Sequence, residues 1–381
     1  MDSTATNDKY SIEPLLHLAF EMGNKQWKLG STIGLGQAPR LRTITAGDLS
    51  QVRDEIARAK RRFGLAEQVR VVSCYEAGRD GFWLHRYLVS EGIENIIVDS
   101  ASLEVNRRKR KVKTDRVDAG KLLMMLLRYH SGEPKVWHVV RVPTVEQEDG
   151  RQLHRELAGL KRERTQHINR IKGLLVSQGI RLQINKDFPE QVSTVKLWDG
   201  TPLPPGLKAR VRREFERIQL VNQHIKQLEA HQRQTIRTAT DPQSEMIRQL
   251  LTLRGIGPVS AWLFVHEFFA WRQFRNRRQV GALAGLTPTP YQSGDSYREQ
   301  GIDKAGNRHI RAIAIEIAWA WLRLQPDSAL SQWYQQRFGH GNSRMRRIGI
   351  VALARKLLIA LWRYLETGEV PKGAVLKSTP V

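Results

Sequence analysis

Cysteine is nearly absent: the chain of 381 residues has one, Cys74. A single thiol excludes an intramolecular disulfide and any cysteine-based zinc site. Long apolar runs are missing as well. No stretch approaches the roughly 20 residues that a membrane-spanning helix needs. Residues 1–10 are polar, without the apolar centre of a secretion signal. Acid is the third shortage. Against 62 Lys and Arg stand 38 Asp and Glu, a formal net charge of +24. Such an excess implies a polyanionic partner, nucleic acid before a membrane surface. These shortages predict a cytoplasmic nucleic-acid-binding protein and leave catalysis open. The length allows two domains with a connecting element.

What is present is patterned. Residues 15–21 (LLHLAFE) form an apolar run that ends on Glu21, and residues 27–35 and 40–45 extend it into an antiparallel meander. Asp48 caps a helix running to about Phe63. VRVVSCYEA reads as a buried strand with Glu76 near its end, residues 81–91 as an amphipathic helix, NIIVD as a strand and TDRVDAGKLLMMLLR as a helix. Strands first, then strands alternating with helices, predict a mixed α/β domain over residues 12–130. Gly132, Pro134 and Pro143 mark a linker over 131–144. Two long amphipathic helical patterns separated by the Pro202–Gly206 cluster predict a helical or coiled-coil arm over 145–240. A mainly helical domain over 245–366 follows, and residues 367–381 read as a disordered tail.

Three constellations carry chemistry. Asp115 and Asp118 lie one helical turn apart, behind the cations Arg107, Arg108, Lys109, Arg110, Lys111 and Lys113. In a ribonuclease-H-like fold, acids at two strand ends and on a following helix converge, so Glu21 and Glu76 join this pair as candidate ligands. Carboxylate oxygens suit Mg²⁺, and two metals about 4 Å apart clamp a phosphoryl transfer. Strand-end and first-turn acids are also common in other folds, so spacing leaves both readings open. The second constellation is LRGIGPV, where Gly255 and Gly257 fit a helix-hairpin-helix turn whose backbone N–H groups approach phosphate, or an ordinary glycine turn. The third is residues 285–311, loop-like, with Ser293 beside Gly294, Ser296 close by, and Lys304, Arg308, His309 and Arg311 after them. A serine needs activation to be a nucleophile, and composition does not choose between these two. Arg344, Arg346 and Arg347 make a further backbone-binding patch, while helical spacing assigns most of the neighbouring tryptophans, Trp319 and Trp362 among them, to the core. His85, His130 and His138 have no metal spacing and read as structural.

In this order, YEAGRDGFWLHRYL, RRKRKVKTDRVDAGKLL, LRGIGPVSAWLFVHE, GLTPTPYQSGD and DKAGNRHIR resemble the insertion-sequence transposases that join an N-terminal RuvC-like DEDD domain to a C-terminal serine-bearing domain. That group includes bridge-RNA-guided recombinases and the pilin-gene invertases, and the resemblance spans residues 12–366. It implies an RNase H-like fold for residues 12–130 and a metal set of Glu21, Glu76, Asp115 and Asp118, with Glu21 standing where the common pattern has Asp. Glutamate keeps the charge and the ligand type. The resemblance further implies Mg²⁺ as cofactor, Ser293 rather than Ser296 as nucleophile and a covalent protein–DNA intermediate. Its implied partners are double-stranded DNA at element ends and target, a noncoding guide RNA, and further copies of the chain in a dimer or tetramer, nucleoid-associated in a bacterium. Two other readings stay open: a metal-dependent nuclease that cuts with water and needs no serine, and a non-catalytic transposase remnant.

Overall fold

The structure, a computed structural model, describes residues 14–103, 115–293 and 296–378, with backbone alone at residues 101, 115–117, 292–293 and 296–300. The chain divides into two compact units, residues 1–142 and 143–381.

Unit 1 is mixed α/β. Strands β1 (Leu16–Met22), β2 (Gln26–Thr32) and β3 (Arg40–Thr45) form an antiparallel meander. Strands β4 (Val71–Glu76) and β5 (Glu94–Val98) add in parallel beside β1, giving the order β3-β2-β1-β4-β5. Both faces are covered, which is why VVSCYE reads as a continuous buried run instead of an alternating one. Helix α1 (Leu49–Arg62) starts where the Asp48 carboxylate accepts from the Gln51 N–H at 3.0 Å, and lays Val52, Ile56 and Ala59 on one face. Helix α2 (Trp83–Ser90) adds Leu84 and Leu88 there. Helix α3 (Asp115–His130) covers the other face with Leu122, Leu123 and Leu126 against Ala19, Val72 and Cys74.

The expected linker over 131–144 is part of this unit up to Val142. Trp137 is buried with the α3 layer, Val139 bridges to Val98, and the Val140 N–H donates to the Ile97 carbonyl at 2.7 Å. The glycine and proline positions suggested a free connection, but the apolar residues between them cover the open edge of β5.

Unit 2 is mainly helical. Thr144 and Gln147 form a capping box on α4 (Val145–Asp149), and Gly150 and Arg151 separate that turn from α5 (Gln152–Val176). The single long helix expected from residue 145 is therefore two. Helix α6 (Phe188–Thr194) follows, then α7 (Pro205–Thr238), which at 34 residues is about 51 Å long. Lys161 pairs with Glu229 and Arg170 with Glu214, so α5 and α7 run antiparallel, as the helical-arm reading expects. Ile171 and Leu175 meet Val211, Phe215 and Ile218 along their seam.

The rest of unit 2 surrounds one core. Its elements are α8 (Pro242–Leu251), α9 (Pro258–Phe264), a π-helical turn Val265–Phe269, α10 (Arg277–Leu283), β6 (Pro288–Ser293), β7 (Ser296–Ile302), α11 (Arg308–Leu324), α12 (Ala329–Tyr334), a second π-helical turn Gln335–Gly339 and α13 (Ser343–Thr367). Trp262 and Trp321 are in that core, as helical spacing predicts, and Trp362 packs against it. Trp319 is not: it is 48% exposed, because it sits two residues before Trp321 and faces the opposite side of α11.

The expected disordered tail is ordered as far as the structure describes it, to residue 378. The Arg254 N–H donates to the Val375 carbonyl, the Lys377 N–H to the Thr252 carbonyl, and Leu376 bridges to Leu253. Buried Gln325 ties the strap down: its amide donates to the carbonyls of Arg254 and Val375 and accepts from the Val375 N–H. Polar composition hid these backbone bonds.

Candidate active site and nucleic-acid interface

In unit 1 the strands bring two acids together. The parallel register matches Phe20 with Tyr75, so the next residues, Glu21 and Glu76, stand side by side at the carboxyl ends of adjacent strands. Neighbouring strands lie about 4.8 Å apart. Alternation puts both acids on the face of Ala19 and Cys74, the one covered by α3. The direction of α3 follows from two contacts. His130, at its end, meets the His17 ring edge-on at 5.5 Å, near the start of β1. The Leu122 carbonyl lies beside the Cys74 thiol. The start of α3 therefore reaches the end of the sheet that carries Glu21 and Glu76, and half-buried Asp118 is there. Asp115 opens the same helix, one turn earlier; its side chain lies outside the described atoms.

The donor chemistry of Glu21, Glu76 and Asp118 fits a hard divalent cation, since all three offer carboxylate oxygens. Among the described residues, however, no three His, Cys, Asp or Glu side chains gather closely enough to hold a metal ion. The basic run, Arg107 to Lys113, lies outside the described residues.

In unit 2 the stretch over 285–311, loop-like by sequence, contains a β-hairpin. Pro288 and Pro290 masked it, yet proline is tolerated in a two-stranded sheet because each strand is an edge. Ser293 is the last residue of β6, paired across the turn with Ser296, the first of β7. Both serines are thus at the hairpin tip, and their side chains lie outside the described atoms.

The base of the hairpin is clamped by glycines. A Cβ on Gly306 would overlap the Gly285 nitrogen, and Gly285 itself has φ +67°. The Asn307 N–H donates to the Leu283 carbonyl, and the Asn307 side chain accepts from the N–H groups of His309 and Ile310, capping α11.

Beneath that cap is a buried acid that the sequence reading did not select. Glu267, 1% exposed, lies in the first π-helical turn. It accepts from His154 Nε2 at 2.8 Å, Arg155 Nε at 2.6 Å, Arg155 Nη2 at 3.1 Å and Asn307 Nδ2 at 3.2 Å. Burial alone would raise its proton affinity; the hydrogen bonds from His154 and Arg155 and their charges overcome it and hold the carboxylate well below its usual range. Neighbouring His266 is pushed down to about 4 by burial and by His154. Its sequence signal was the acid of HEFF, an unpaired charge inside an apolar helix, which must find partners.

The other expected contacts divide. Lys304 and Arg308 are exposed, while Arg311 turns back to donate to the Lys304 carbonyl at 3.1 Å. Arg344, Arg346 and Arg347 are exposed in the first turn of α13. The glycine turn has less to offer a phosphate than its sequence promised. Gly255 has φ +99°, which explains the residue, but the Gly257 N–H donates to the Ser260 hydroxyl at 3.0 Å and the neighbouring Arg254 N–H is taken by the tail. His85 bonds Asn95 at 2.9 Å, His130 packs on His17, and the His138 carbonyl accepts from Asp99, in keeping with structural roles. No described helix is long and apolar enough to cross a membrane.

Comparison with known proteins gives this arrangement its class. The profile of the "Transposase IS116/IS110/IS902 family" matches residues 247–335, which include the glycine turn, the Glu267 segment and the serine hairpin. "Putative transposase y4rJ" of Sinorhizobium fredii is 41% identical over 376 residues, 95% of each chain. "Probable family 20 transposase" of Pseudomonas aeruginosa is 30% identical over 59% of this chain and 66% of its own. "Transposase for insertion sequence element IS1328" of Yersinia enterocolitica is 27% identical over 61% of this chain and 67% of its own. The two units thus make up a transposase of an insertion sequence element, whose substrate is DNA. The chain belongs to the IS116/IS110/IS902 transposase family.

Proposed function

We propose that this transposase cuts and rejoins DNA with Ser293 as nucleophile and Mg²⁺ held by Glu21, Glu76, Asp115 and Asp118. The observation that carries this reading is the placement of Glu21 and Glu76 at one register position of adjacent strands, on the face where α3 begins with its two aspartates. The strand order β3-β2-β1-β4-β5, antiparallel then parallel, supports an RNase H-like, RuvC-like assignment for unit 1. The hairpin supports the serine role: Ser293 ends β6, on a hairpin whose base is fixed by the close approach of Gly285 and Gly306.

The chemistry balances without ATP. The Ser293 hydroxyl gives up its proton and its oxygen bonds to phosphorus. One P–O bond to a deoxyribose breaks, and the freed sugar oxygen takes up a proton. Attack by a sugar hydroxyl of another strand reverses the step. Bound Mg²⁺ would supply stabilisation of the charge on the phosphate oxygens. In this reading the basic run from Arg107 to Lys113, with Lys304, Arg308, Arg344, Arg346 and Arg347, guides the nucleic-acid backbone. A noncoding RNA that pairs with element ends and target would supply sequence choice, as in other guided systems. The work is done at the nucleoid by a dimer or tetramer of the chain.

Trapping tests the reading. Incubated with element-end DNA, its co-purifying RNA and Mg²⁺, the protein should give a denaturant-resistant protein–DNA adduct. Ser293→Ala should abolish it and Ser296→Ala should keep it. Cleavage to free ends with no adduct would replace the serine mechanism by metal-activated water. RNA sequenced from the purified protein should map to the flanks of its own gene.

A further inference from the structure

At the base of the β6–β7 hairpin, a groove of about 920 Å³ runs between the strands, the second π-helical turn and α13. Arg337, Arg344, Arg347 and Arg355 line it. Among the described residues none of the four has a carboxylate within ion-pair distance, whereas Arg155, Arg170 and Arg217 of the same unit pair with Glu267 or Glu214. Four guanidinium groups along one groove favour an anion between them. The floor is of opposite character. Phe338, itself 8% exposed, packs against Gly349, where a Cβ would collide with its ring; Trp333 meets Phe338 at 5.6 Å and has the Lys356 ammonium 4.6 Å from its ring centre, and Ile348 is 42% exposed.

A duplex hides its base faces and presents phosphate, sugar and base edges, so it has no base face to stack on such a floor. A single strand presents both phosphate and base face. The location narrows the ligand further. Pro288 and Ile302, the paired residues at the base of the hairpin, form the groove's near wall. Ser293 is five residues on, about 17 Å along an extended strand. That is roughly five nucleotide steps at the axial spacing of a duplex strand.

We propose that this groove holds an unpaired stretch of the substrate DNA strand, its phosphates on the four arginines and a base on the floor of Trp333 and Ile348. The site rests on the transposase's DNA substrate, and its place in the reaction on the proposed role of the hairpin. The strand would be gripped here a few nucleotides from the hairpin tip, which keeps it from re-pairing while ends are exchanged.

Binding separates this site from the serine assignment, because it needs no cleavage. The full chain is titrated against fluorescent oligothymidylate, a mixed-sequence duplex of the same length and oligouridylate, at several salt concentrations. Arg344→Ala and Arg347→Ala, both at exposed positions, should each weaken oligothymidylate binding about tenfold and lower its salt slope by about 1. Duplex binding should change less than about threefold. Ile348→Glu, also exposed, should weaken oligothymidylate alone, with an unchanged circular-dichroism melt. Equal losses on single strand and duplex would reduce the groove to general basic surface and overturn the proposal, as would unchanged binding in all three variants. Tighter binding of oligouridylate through the same residues would make it an RNA site and overturn it equally.

Discussion

In unit 2 the Glu267 carboxylate receives hydrogen bonds from His154, Arg155 and Asn307, all within its own unit, whereas in unit 1 Glu21, Glu76 and Asp118 are carried towards one end of a sheet. Both arrangements put acid in the interior of a basic protein. Their surroundings assign them different work. An acid neutralised by fixed donors joins α5, the π-helical turn and the cap of α11, and its energy goes into holding the hairpin base. The acids of unit 1 offer carboxylate oxygens of the kind a hard divalent cation prefers. The position of a carboxylate on an element says little; what the fold aims at it says most.

The comparison breaks most visibly at the acids of unit 1. Asp118→Asn and Glu76→Gln should each lower Mg²⁺-dependent strand cleavage by at least about a hundredfold, with a melting temperature equal to or above that of the parent. Full activity in either variant, or in buffer stripped of divalent cations, would remove the metal reading. The matching change in unit 2 should do the reverse. Glu267→Ala leaves His154, Arg155 and the Asn307 amide without their acceptor and should cost about 3 kcal/mol of stability, read by denaturant unfolding. Glu267→Gln, which keeps one acceptor, should cost less. Because the folded carboxylate is held below its usual range, its contribution is present above the ordinary glutamate pKa and is lost as pH falls below it. The acid limb of the stability curve should therefore be shallower in Glu267→Gln.

Buried imidazoles offer a subtler comparison, one from each unit. His17 and His266 are each pushed down to about 4, chiefly by burial, with help from His130 and His154 respectively. Their folded pKa values lie below 6.5, so the unfolded chain binds protons first and stability falls as pH drops from 6.5 towards 4. His17→Leu should flatten that fall for unit 1 and His266→Leu for unit 2, measured as melting temperature against pH. The smallest effect is expected at the tail: Gln325→Ala removes three hydrogen bonds to the strap and its turn and should cost about 1 kcal/mol, with faster amide exchange at Val375 and Lys377.

Much of unit 1 was legible because each of its elements states itself locally. VVSCYE declares a doubly buried strand, Asp48 a helix start, and the apolar run LLHLAFE a neighbouring strand. The antiparallel arm was legible for the same reason, its apolar steps of three and four being short-range. The hairpin of unit 2 was not, since Pro288 and Pro290 spoil the strand pattern and only the clamp of Gly285 against Gly306 restores it. The tail and the segment over 136–142 misled in the same way: each is bound through backbone groups and a few apolar contacts, which composition does not record. Glu267 escaped notice because its partners lie 113, 112 and 40 residues away.

By itself, then, the sequence determined the polyanionic partner, the single thiol, the α/β beginning and helical remainder, and which acids stand at or near the ends of their elements, because these depend on composition and on periods of two or a few residues. Tertiary structure alone decided that Glu21 and Glu76 follow directly on the Phe20–Tyr75 pair at the sheet end where α3 begins, that Glu267 is neutralised within its unit, and that four arginines line one groove with no ion-pair partner among the described residues. Those are matters of strand order, helix direction and long-range contact, and no local pattern encodes which distant residue will arrive.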